Sequence, residues 1–473
     1  MSPITRIAVS PIIEVCEIKT LSRQSVFAIL IASILAAAAL FYFSNKVHDV
    51  YRAGYFDLPL YTKAATHYWQ DQPVYERSDD LLERYKPGAI VFKFPPTYLL
   101  PFLPWFDAAG QWHAWFAPGL SIFYIAFYGI TIGLICWLVL NCFPAKTQRI
   151  DRSTSILFVL FSIAFACLYM PFFVVLGGTS GEAYIIGVAL IAFLCMQRMP
   201  YLSGCMLVYL GCIKLYPFFF LAYPLLTRQW RVLLGAFVGF FLVGGATLWI
   251  FGVDEVFFYI SKVLPILLSE PVSEDWTDVF RHTTGNQGIV KILVQYGWLP
   301  SRLPVWLNTV RLPFVVMMAW LLLRFNAQHN NSQWSSLLGF ALVIVTALIC
   351  LPNVFYSYFI FLIFPLLALA GFFSARQNRK ALLLLAICMA CFMVDDVWTY
   401  ALAEQYGLLT PLPELVEAAQ TRGITLYLWE HFPLFAVLSA MGKATPFMPV
   451  ILWCFLAVAL MNASVNRYQT PAS

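Results

Sequence analysis

Apolar stretches of about 20 residues recur along this chain from Val26 to Met461, and they constrain its fold more than any other feature. A stretch of this length crosses the hydrocarbon core of a bilayer as an α-helix. Only 11% of the residues are charged and 61% are hydrophobic, whereas soluble proteins carry roughly a quarter charged residues. The sequence therefore predicts an all-α polytopic membrane protein that forms one integral membrane domain over residues 1–473.

Most of the apolar stretches read as single membrane spans. The predicted spans lie near 26–43, 112–140, 155–176, 180–197, 231–251, 304–325, 334–351, 354–373, 380–397, 424–441 and 446–462. Segment 201–226 differs, because Lys214 and Pro217 interrupt it and basic residues flank both of its ends. Two half-helices that enter and leave the membrane on the same side explain both features, since broken helices are tolerated where protein or a cavity surrounds them.

Basic residues in short loops orient the predicted spans, because such residues favour the cytoplasmic side of a membrane. They are Lys146, Arg149, Arg152, Arg228, Arg231, Arg376, Arg379 and Lys380. If these loops and the N-terminus are cytoplasmic, the long loops 44–111 and 252–303 lie outside. Both long loops are predicted to be structured. The loop 44–111 is expected to carry membrane-surface helices over 58–69 and 97–106, and the loop 252–303 to carry short helices around 281–287.

Charge and cysteine content exclude several classes of function. The net charge of +5 does not indicate nucleic-acid binding, because the basic residues are scattered at span ends. The cysteines lie almost entirely inside apolar stretches, and no Cys/His spacing of a metal site occurs. We expect no disulfide framework, no bound metal and no other cofactor. A divalent ion shared by Asp49 and Asp57 is the open alternative.

Several polar residues that are costly in lipid map to the predicted outer face. Asp57 follows the first span, Lys93 lies late in the first long loop, Glu182 opens a span and Lys214 stands at the break in 201–226. The remaining members are Arg281, His282, Asn286, Gln287, Tyr356 and Tyr358. Because an ionisable group inside a span is a functional-site hypothesis by default, we predict that these residues share one extracytoplasmic cavity.

The order of these features resembles glycosyltransferase family 87 of the GT-C superfamily, the polyprenol-phosphate-mannose-dependent α-mannosyltransferase type. The family's Asp-Leu followed by Tyr reads Asp57-Leu58-Pro59-Leu60-Tyr61, and its Tyr-x-Tyr-Pro-Pro element reads Phe92-Lys93-Phe94-Pro95-Pro96. Its Ile-Lys-x-x-Pro element reads Ile213-Lys214-Leu215-Tyr216-Pro217, and its Asn-Gln-Ser-Leu element matches Asn286-Gln287-Gly288-Ile289 in part. The resemblance covers most of the chain in the right order.

Two departures from the family pattern bear on which donor sugar is used more than on the class of reaction. Glu182 follows Gly181 where the family has Gln, and Tyr358 stands where the family often has His. The resemblance implies a GT-C-type fold with about 11–13 transmembrane helices. It also implies a GT-C-like module over 26–251, a second external loop over 252–303 and C-terminal helices over 304–473.

The resemblance further implies an enzyme that moves one hexose, by default mannose, from a polyprenyl-phosphate carrier to an extracytoplasmic glycan or glycolipid acceptor, with inversion. The expected location is a bacterial inner or plasma membrane, and the expected partners are donor, acceptor and membrane lipid. Asp57 is the expected general base, with Asp49 in reserve. From spacing alone, a solvated loop carboxylate is the favoured reading of Asp57, because Asp49, Asp71, Asp79 and Asp80 share its loop. The family position of Asp57 reverses that preference.

Cations are expected around the phosphate that leaves. The candidates are Lys93, Lys214, Arg281 and His282. The alternative for Lys214 is a salt bridge to Glu182. Lys93 and Arg281 could instead contact lipid headgroups. His282 could instead be an ordinary hydrogen-bonded loop residue.

The other candidates have alternatives as well. Asn286 and Gln287 are expected to contact sugar hydroxyls, with helix capping by Asn286 as the alternative. Tyr61 is expected to stack on a sugar. The alternative is that its ring packs in the aromatic belt at the membrane interface. Glu182 either orients Lys214 or contacts the acceptor.

Three other functions compete with single-sugar transfer. A secondary transporter or flippase usually shows related halves with matched broken helices, and this chain shows one broken segment. A lipid-linked glycan ligase or polymerase uses arginine and histidine in one large outer loop. A non-catalytic scaffold does not account for so many costly polar residues on one face.

Overall fold

The computed structural model describes residues 23–53, 58–77, 92–106, 116–143, 152–178, 180–269, 304–327, 332–351, 354, 356–393, 441 and 444–465. Its regular elements are helical. The α-helices α1 to α15 are Arg23–Ala53, Leu58–Trp69, Phe116–Cys142, Arg152–Leu168, Met170–Gly178, Glu182–Cys195, Pro200–Ile213, Ala222–Leu226, Trp230–Phe258, Leu264–Ser269, Pro304–Ala327, Gln333–Cys350, Ile363–Ala375, Arg379–Cys391 and Met448–Val465. Shorter 3₁₀ helices are Pro96–Leu99, Leu103–Trp105, Tyr216–Leu221, Tyr356–Leu362 and Thr445–Phe447, and Tyr259–Val263 is a π-helix.

Within the described residues, six helices are long and apolar enough to cross a membrane. They are Gln24–Arg52, Gly119–Cys142, Trp230–Ile266, Gln333–Cys350, Tyr356–Ala375 and Thr445–Ala463. A seventh crossing results if Ser153–Leu168 and Met170–Gly178, bent by 48°, form one span. The chain is therefore an all-α, multi-pass integral membrane protein, as its hydropathy predicts.

Some predicted spans differ in detail from the observed helices. The stretch near 155–176 is bent at Tyr169 rather than straight. The stretch near 180–197 forms α6, which has 14 residues and a length of about 21 Å, shorter than the roughly 30 Å of a hydrocarbon core. The predicted span 424–441 lies outside the described residues apart from Met441. The predicted span 231–251 ends where α9 kinks, at Gly252 with φ +81°.

The C-terminal ends of α3 and α13 meet at the start of α12. The Trp334 ring packs against Phe143, with 5.8 Å between ring centroids, and against Phe372, with 5.4 Å. Phe143 precedes the loop that carries Lys146 and Arg149, and Arg376 lies over the Phe372 ring at 4.4 Å. We call this region the basic end.

Residues 182–226 form an antiparallel helix pair and a short returning segment. Helices α6 and α7 pair along their length, and Ser203 Oγ donates to the Ala192 carbonyl at 2.8 Å. The backbone becomes extended at Lys214 (φ −138°, ψ 137°), and the chain then returns through Tyr216–Leu221 and α8. The Tyr223 ring reaches Phe193 at 5.8 Å, near the far end of α6.

This return explains the basic residues on both flanks of 201–226. Arg198 lies in the turn between α6 and α7, and Arg228 follows α8. Both therefore lie at the same end of the unit. This is the basic end, because the Tyr223 ring also packs on Phe340 of α12, with 5.5 Å between ring centroids. The two short helical segments therefore begin and end at the same end of this unit, and their entry and exit on one side of the membrane stays a prediction.

Helices α7 and α9 approach each other closely near the basic end. A Cβ on Gly204 would lie 2.0 Å from the Val232 carbonyl oxygen and 2.4 Å from the Ala236 nitrogen. Gly235 faces Tyr201 backbone in the same way, at 2.3 Å from its carbonyl oxygen. Small residues at such crossings let helix backbones meet, which is how helices associate in lipid. The crossing fixes α9 against the unit that carries Lys214.

The described parts of the first long loop pack into the protein. The predicted helix over 58–69 is present as α2, and its buried residues are Leu58, Tyr61, Ala64 and Ala65. The predicted surface helix over 97–106 is wrong. Two 3₁₀ turns take its place, and Thr97, Tyr98, Leu99, Phe102, Leu103 and Phe106 are buried. An apolar segment with several prolines loses helical hydrogen bonds, and here it is held instead by aromatic packing.

Candidate active site

A buried ion pair stands at the end opposite the basic end. The Lys214 ammonium donates to Glu182 Oε1, with Lys214 5% and Glu182 0% exposed. The pair forms because Glu182 opens α6 and Lys214 closes the antiparallel α7. Removing one partner of a buried pair costs about 3–5 kcal/mol, because the other charge stays desolvated. The two residues therefore depend on each other for their burial.

Three aromatic rings enclose the Lys214 ammonium. Its Nζ lies 4.9 Å from the Phe94 ring centroid, 5.6 Å from Tyr98 and 5.4 Å from Tyr358. Phe94 and Tyr98 also stack on each other, with centroids 4.4 Å apart. A cation over a desolvated aromatic face is stabilised by about 0.5–2 kcal/mol. We call Lys214, Glu182, Phe94, Tyr98 and Tyr358 the Lys214 cluster.

Tyr98 joins the cluster to α2 and to the start of α6. Its hydroxyl accepts a hydrogen bond from the Gly181 N–H at 3.1 Å and lies 3.3 Å from the Tyr61 hydroxyl. The Tyr61 ring stacks on Phe102 with centroids 4.9 Å apart. The helix that begins directly after Asp57 in the sequence is therefore anchored to the Lys214 cluster through Tyr61.

Further contacts hold the first long loop against α9. Tyr75 donates its hydroxyl hydrogen to the Phe94 carbonyl at 2.6 Å. The Thr97 and Thr247 hydroxyls form a buried hydrogen bond of 3.0 Å, and Arg77 pairs with Glu255 at 2.5 Å. Each bond is modest, but together they fix the backbone that presents Phe94 and Tyr98 to the ammonium.

Three buried oxygen atoms near the start of α6 find no hydrogen-bond partner among the described residues. They are Ser180 Oγ, Glu182 Oε2 and the Tyr216 hydroxyl. A buried polar atom without a partner costs about 1–3 kcal/mol, and more when it is charged. Native proteins rarely leave such atoms unpaired without a reason such as a binding role.

The structure brings together a subset of the predicted site residues. Glu182, Lys214 and Tyr358 are in direct contact, Tyr61 reaches Tyr98, and half-buried Lys93 precedes Phe94 in the chain. Two other candidates also lie within the described residues. Tyr356 is buried with its ring 5.7 Å from Phe359, and Asp49 is exposed near the end of α1. Asp57, Arg281, His282, Asn286 and Gln287 lie outside the described residues.

Two members of the site were not singled out from the sequence. Tyr98 and Tyr216 stand within apolar, proline-containing stretches of a chain that is 17% aromatic, so their residue type carries no signal. Tyr216 follows Lys214 by two residues, and that proximity to an ionisable group at a helix break is the clue. The Lys214–Glu182 salt bridge, weighed as an alternative for Lys214, is observed.

The described residues do not assemble a metal site. No group of three or more His, Cys, Asp and Glu side chains that could hold an ion occurs among them. The proposed sharing of a divalent ion by Asp49 and Asp57 involves one residue outside this part of the chain.

Fold and site together define a multi-pass membrane protein with a buried, ring-enclosed charge pair at one end of its helix bundle. The family model of glycosyltransferase family 87 matches residues 92–352, more than half of the chain. The chain belongs to this family, and it is a membrane glycosyltransferase. The match contains Phe94, Tyr98, Glu182 and Lys214. No curated protein and no solved structure is detectably similar to the chain.

Proposed function

We propose that this glycosyltransferase moves a single hexose, mannose in the first instance, from a polyprenyl-phosphate carrier to a hydroxyl of a glycan or glycolipid acceptor. The observation that supports the proposal most is the buried Lys214 with its three rings, inside the region matched by the family. A charged group inside a membrane protein costs free energy, and its presence there favours a functional use.

The donor phosphate is the group that Lys214 would stabilise. When the sugar leaves, negative charge grows on the phosphate, and donors already in position lower the barrier. An ammonium has three N–H donors, and Glu182 Oε1 accepts one of them. Glu182 also balances the Lys214 charge, so we propose that Lys93, Arg281 and His282 add the positive charge that the phosphate needs.

Asp57 is the proposed general base, which takes the proton from the acceptor hydroxyl as it attacks C1 of the sugar. The attack comes from the face opposite the phosphate and inverts the anomeric centre. In support, Leu58, the next residue, is buried and begins a helix whose Tyr61 reaches the Lys214 cluster. Asp49 is held in reserve for this role. Tyr61 and Tyr356 are proposed to line the site, with Asn286 and Gln287 on sugar hydroxyls.

We further propose that the Lys214 cluster faces the extracytoplasmic side of a bacterial inner or plasma membrane. The basic end would then face the cytoplasm together with the N-terminus, in accordance with the positive-inside rule. This arrangement suits a lipid-linked donor, whose sugar is already on the outer face.

Transfer by the purified protein tests the proposal. The protein in lipid nanodiscs is incubated with a membrane extract and one radiolabelled donor at a time: polyprenyl-phosphate mannose, polyprenyl-phosphate glucose, a nucleotide hexose or a polyprenyl-diphosphate glycan. We expect one monophosphate carrier to label the extract and to yield an inverted linkage. Labelling from the nucleotide sugar or the diphosphate glycan alone would overturn the proposed donor.

A further inference from the structure

We propose that Glu182 Oε2 and the Tyr216 hydroxyl form the subsite that holds the hexose ring of the donor. The inference rests on the proposed function and goes beyond it by assigning the sugar-binding groups. It starts from two oxygen atoms that are buried and have no hydrogen-bond partner among the described residues.

Both oxygen atoms belong to side chains that contact either Lys214 itself or its ring neighbour Tyr358. Glu182 holds Lys214 through Oε1, which leaves Oε2 free to accept another hydrogen bond. The Tyr216 ring packs on Tyr358 with centroids 5.1 Å apart, and the Tyr358 ring faces the ammonium at 5.4 Å. In the proposed subsite, one small polar ligand beside Lys214 meets both atoms.

The chemistry of the two atoms selects a hydroxyl-bearing group. An ionised carboxylate only accepts hydrogen bonds, so Oε2 attracts O–H donors and repels a phosphate oxygen. The tyrosine hydroxyl both donates and accepts, which matches the neighbouring hydroxyls of a hexose. The cluster thus separates the two halves of the donor, with the phosphate near the Lys214 N–H groups and the sugar near Glu182 and Tyr216.

Aromatic faces around these atoms suit the same ligand. The rings of Phe94, Tyr98 and Tyr358 surround the ammonium. A hexose carries C–H groups on its faces and hydroxyls on its rim, so it packs on an aromatic ring while its rim reaches polar atoms. A phosphate bound at Lys214 is one bond away from C1 of the sugar, which places the hexose next to the same cluster.

Binding of two lipids to the full-length protein tests the subsite. The probes are radiolabelled polyprenyl-phosphate mannose and bare polyprenyl phosphate, measured with protein in nanodiscs. The decisive variant is Tyr216→Phe, because it leaves the Lys214–Glu182 pair in place. We expect it to bind the mannosylated carrier about 10-fold more weakly, the loss of one buried hydrogen bond to a ligand, and the bare carrier with a change below about 2-fold.

Two further variants complete the experiment. Glu182→Gln should lower the affinity for the mannosylated carrier relative to the bare carrier in the fraction that folds. The amide is a weaker acceptor for a sugar hydroxyl, whereas the unbalanced Lys214 charge favours the phosphate of both lipids. Tyr128→Phe is the matched control, because the Tyr128 hydroxyl is buried but already donates to the Ala166 carbonyl at 3.0 Å. It should bind both lipids as the wild type does.

The outcomes separate the subsite from the proposed function. The subsite is overturned if Tyr216→Phe binds the mannosylated carrier as tightly as the wild type does, or if it loses the same affinity for both lipids. In either case, sugar transfer by the wild-type protein still supports the proposed function. A rise in the acceptor KM alone would assign these atoms to the acceptor and would also overturn it. Failure of the wild type to bind any polyprenyl-phosphate hexose overturns both proposals.

Discussion

The two ends of the unit 182–226 are built on opposite principles. At the basic end, α7 crosses α9 at Gly204 and Gly235 with backbone against backbone. At the other end, α7 stops at Lys214, whose buried ion pair with Glu182 is surrounded by three aromatic rings. One end holds the unit against α9 through backbone contacts, and the other keeps a charged pair and oxygen atoms without a partner among the described residues in a buried environment.

This contrast shows how a membrane glycosyltransferase can hold a buried polar site within a bundle of apolar helices. In lipid, stability comes from close helix contacts rather than from the hydrophobic effect. The crossing at the basic end compensates for the cost of the charges at the other end. Variants at the two ends should therefore fail in different ways.

The largest effect on stability is expected from Lys214→Met. The substitution leaves Glu182 buried without its partner, which should lower the free energy of unfolding by about 3–5 kcal/mol. Thermal unfolding in detergent measures the loss. The double variant Glu182→Gln/Lys214→Met should recover part of it, because no unpaired charge remains. An unchanged unfolding temperature for Lys214→Met would show that the pair is not the feature that stabilises this end.

Gly204→Val should act at the basic end through packing alone. Its side chain would collide with backbone atoms of α9, and we expect a loss of about 3 kcal/mol. Transfer activity should fall only in proportion to the folded fraction, measured by gel filtration. Gly244→Ala is the matched control, because a Cβ there meets nothing within 4 Å, and a change of at most about 1 kcal/mol is expected. Tolerance of valine at position 204 would contradict the close crossing.

Thr97→Val should have the smallest effect. It removes the buried bond to Thr247, but Thr247 still donates to the Val243 carbonyl at 2.8 Å. The expected cost is about 0.5–1.5 kcal/mol by thermal unfolding. Thr62→Val, which removes only a bond within α2, should cost less. A larger loss at Thr62 than at Thr97 would argue against the link between the first long loop and α9.

The sequence predicts the elements of this site better than their contacts. The break at Lys214 follows from a lysine and a proline inside an apolar stretch, and α2 follows from helical spacing of its apolar residues. The burial of 97–106 was not predictable, because an aromatic, proline-rich segment looks the same at a membrane surface and in a protein core. The pairing of Lys214 with Glu182 stayed open because 32 residues separate them in the chain. The roles of Asp57, Arg281 and His282 stay predictions.

The rate of sugar transfer by Asp57→Asn from the proposed donor, polyprenyl-phosphate mannose, tests the central claim most directly. The claim is that a carboxylate at the start of α2 acts as general base beside the Lys214 cluster. Loss of a general base lowers the rate by about 10²–10⁴-fold, so we expect a fall in this range with the folded yield unchanged. Asp71→Asn is the control, since this exposed loop residue has φ +54°, which asparagine also adopts; it should transfer at the wild-type rate. Full activity of Asp57→Asn would contradict the account.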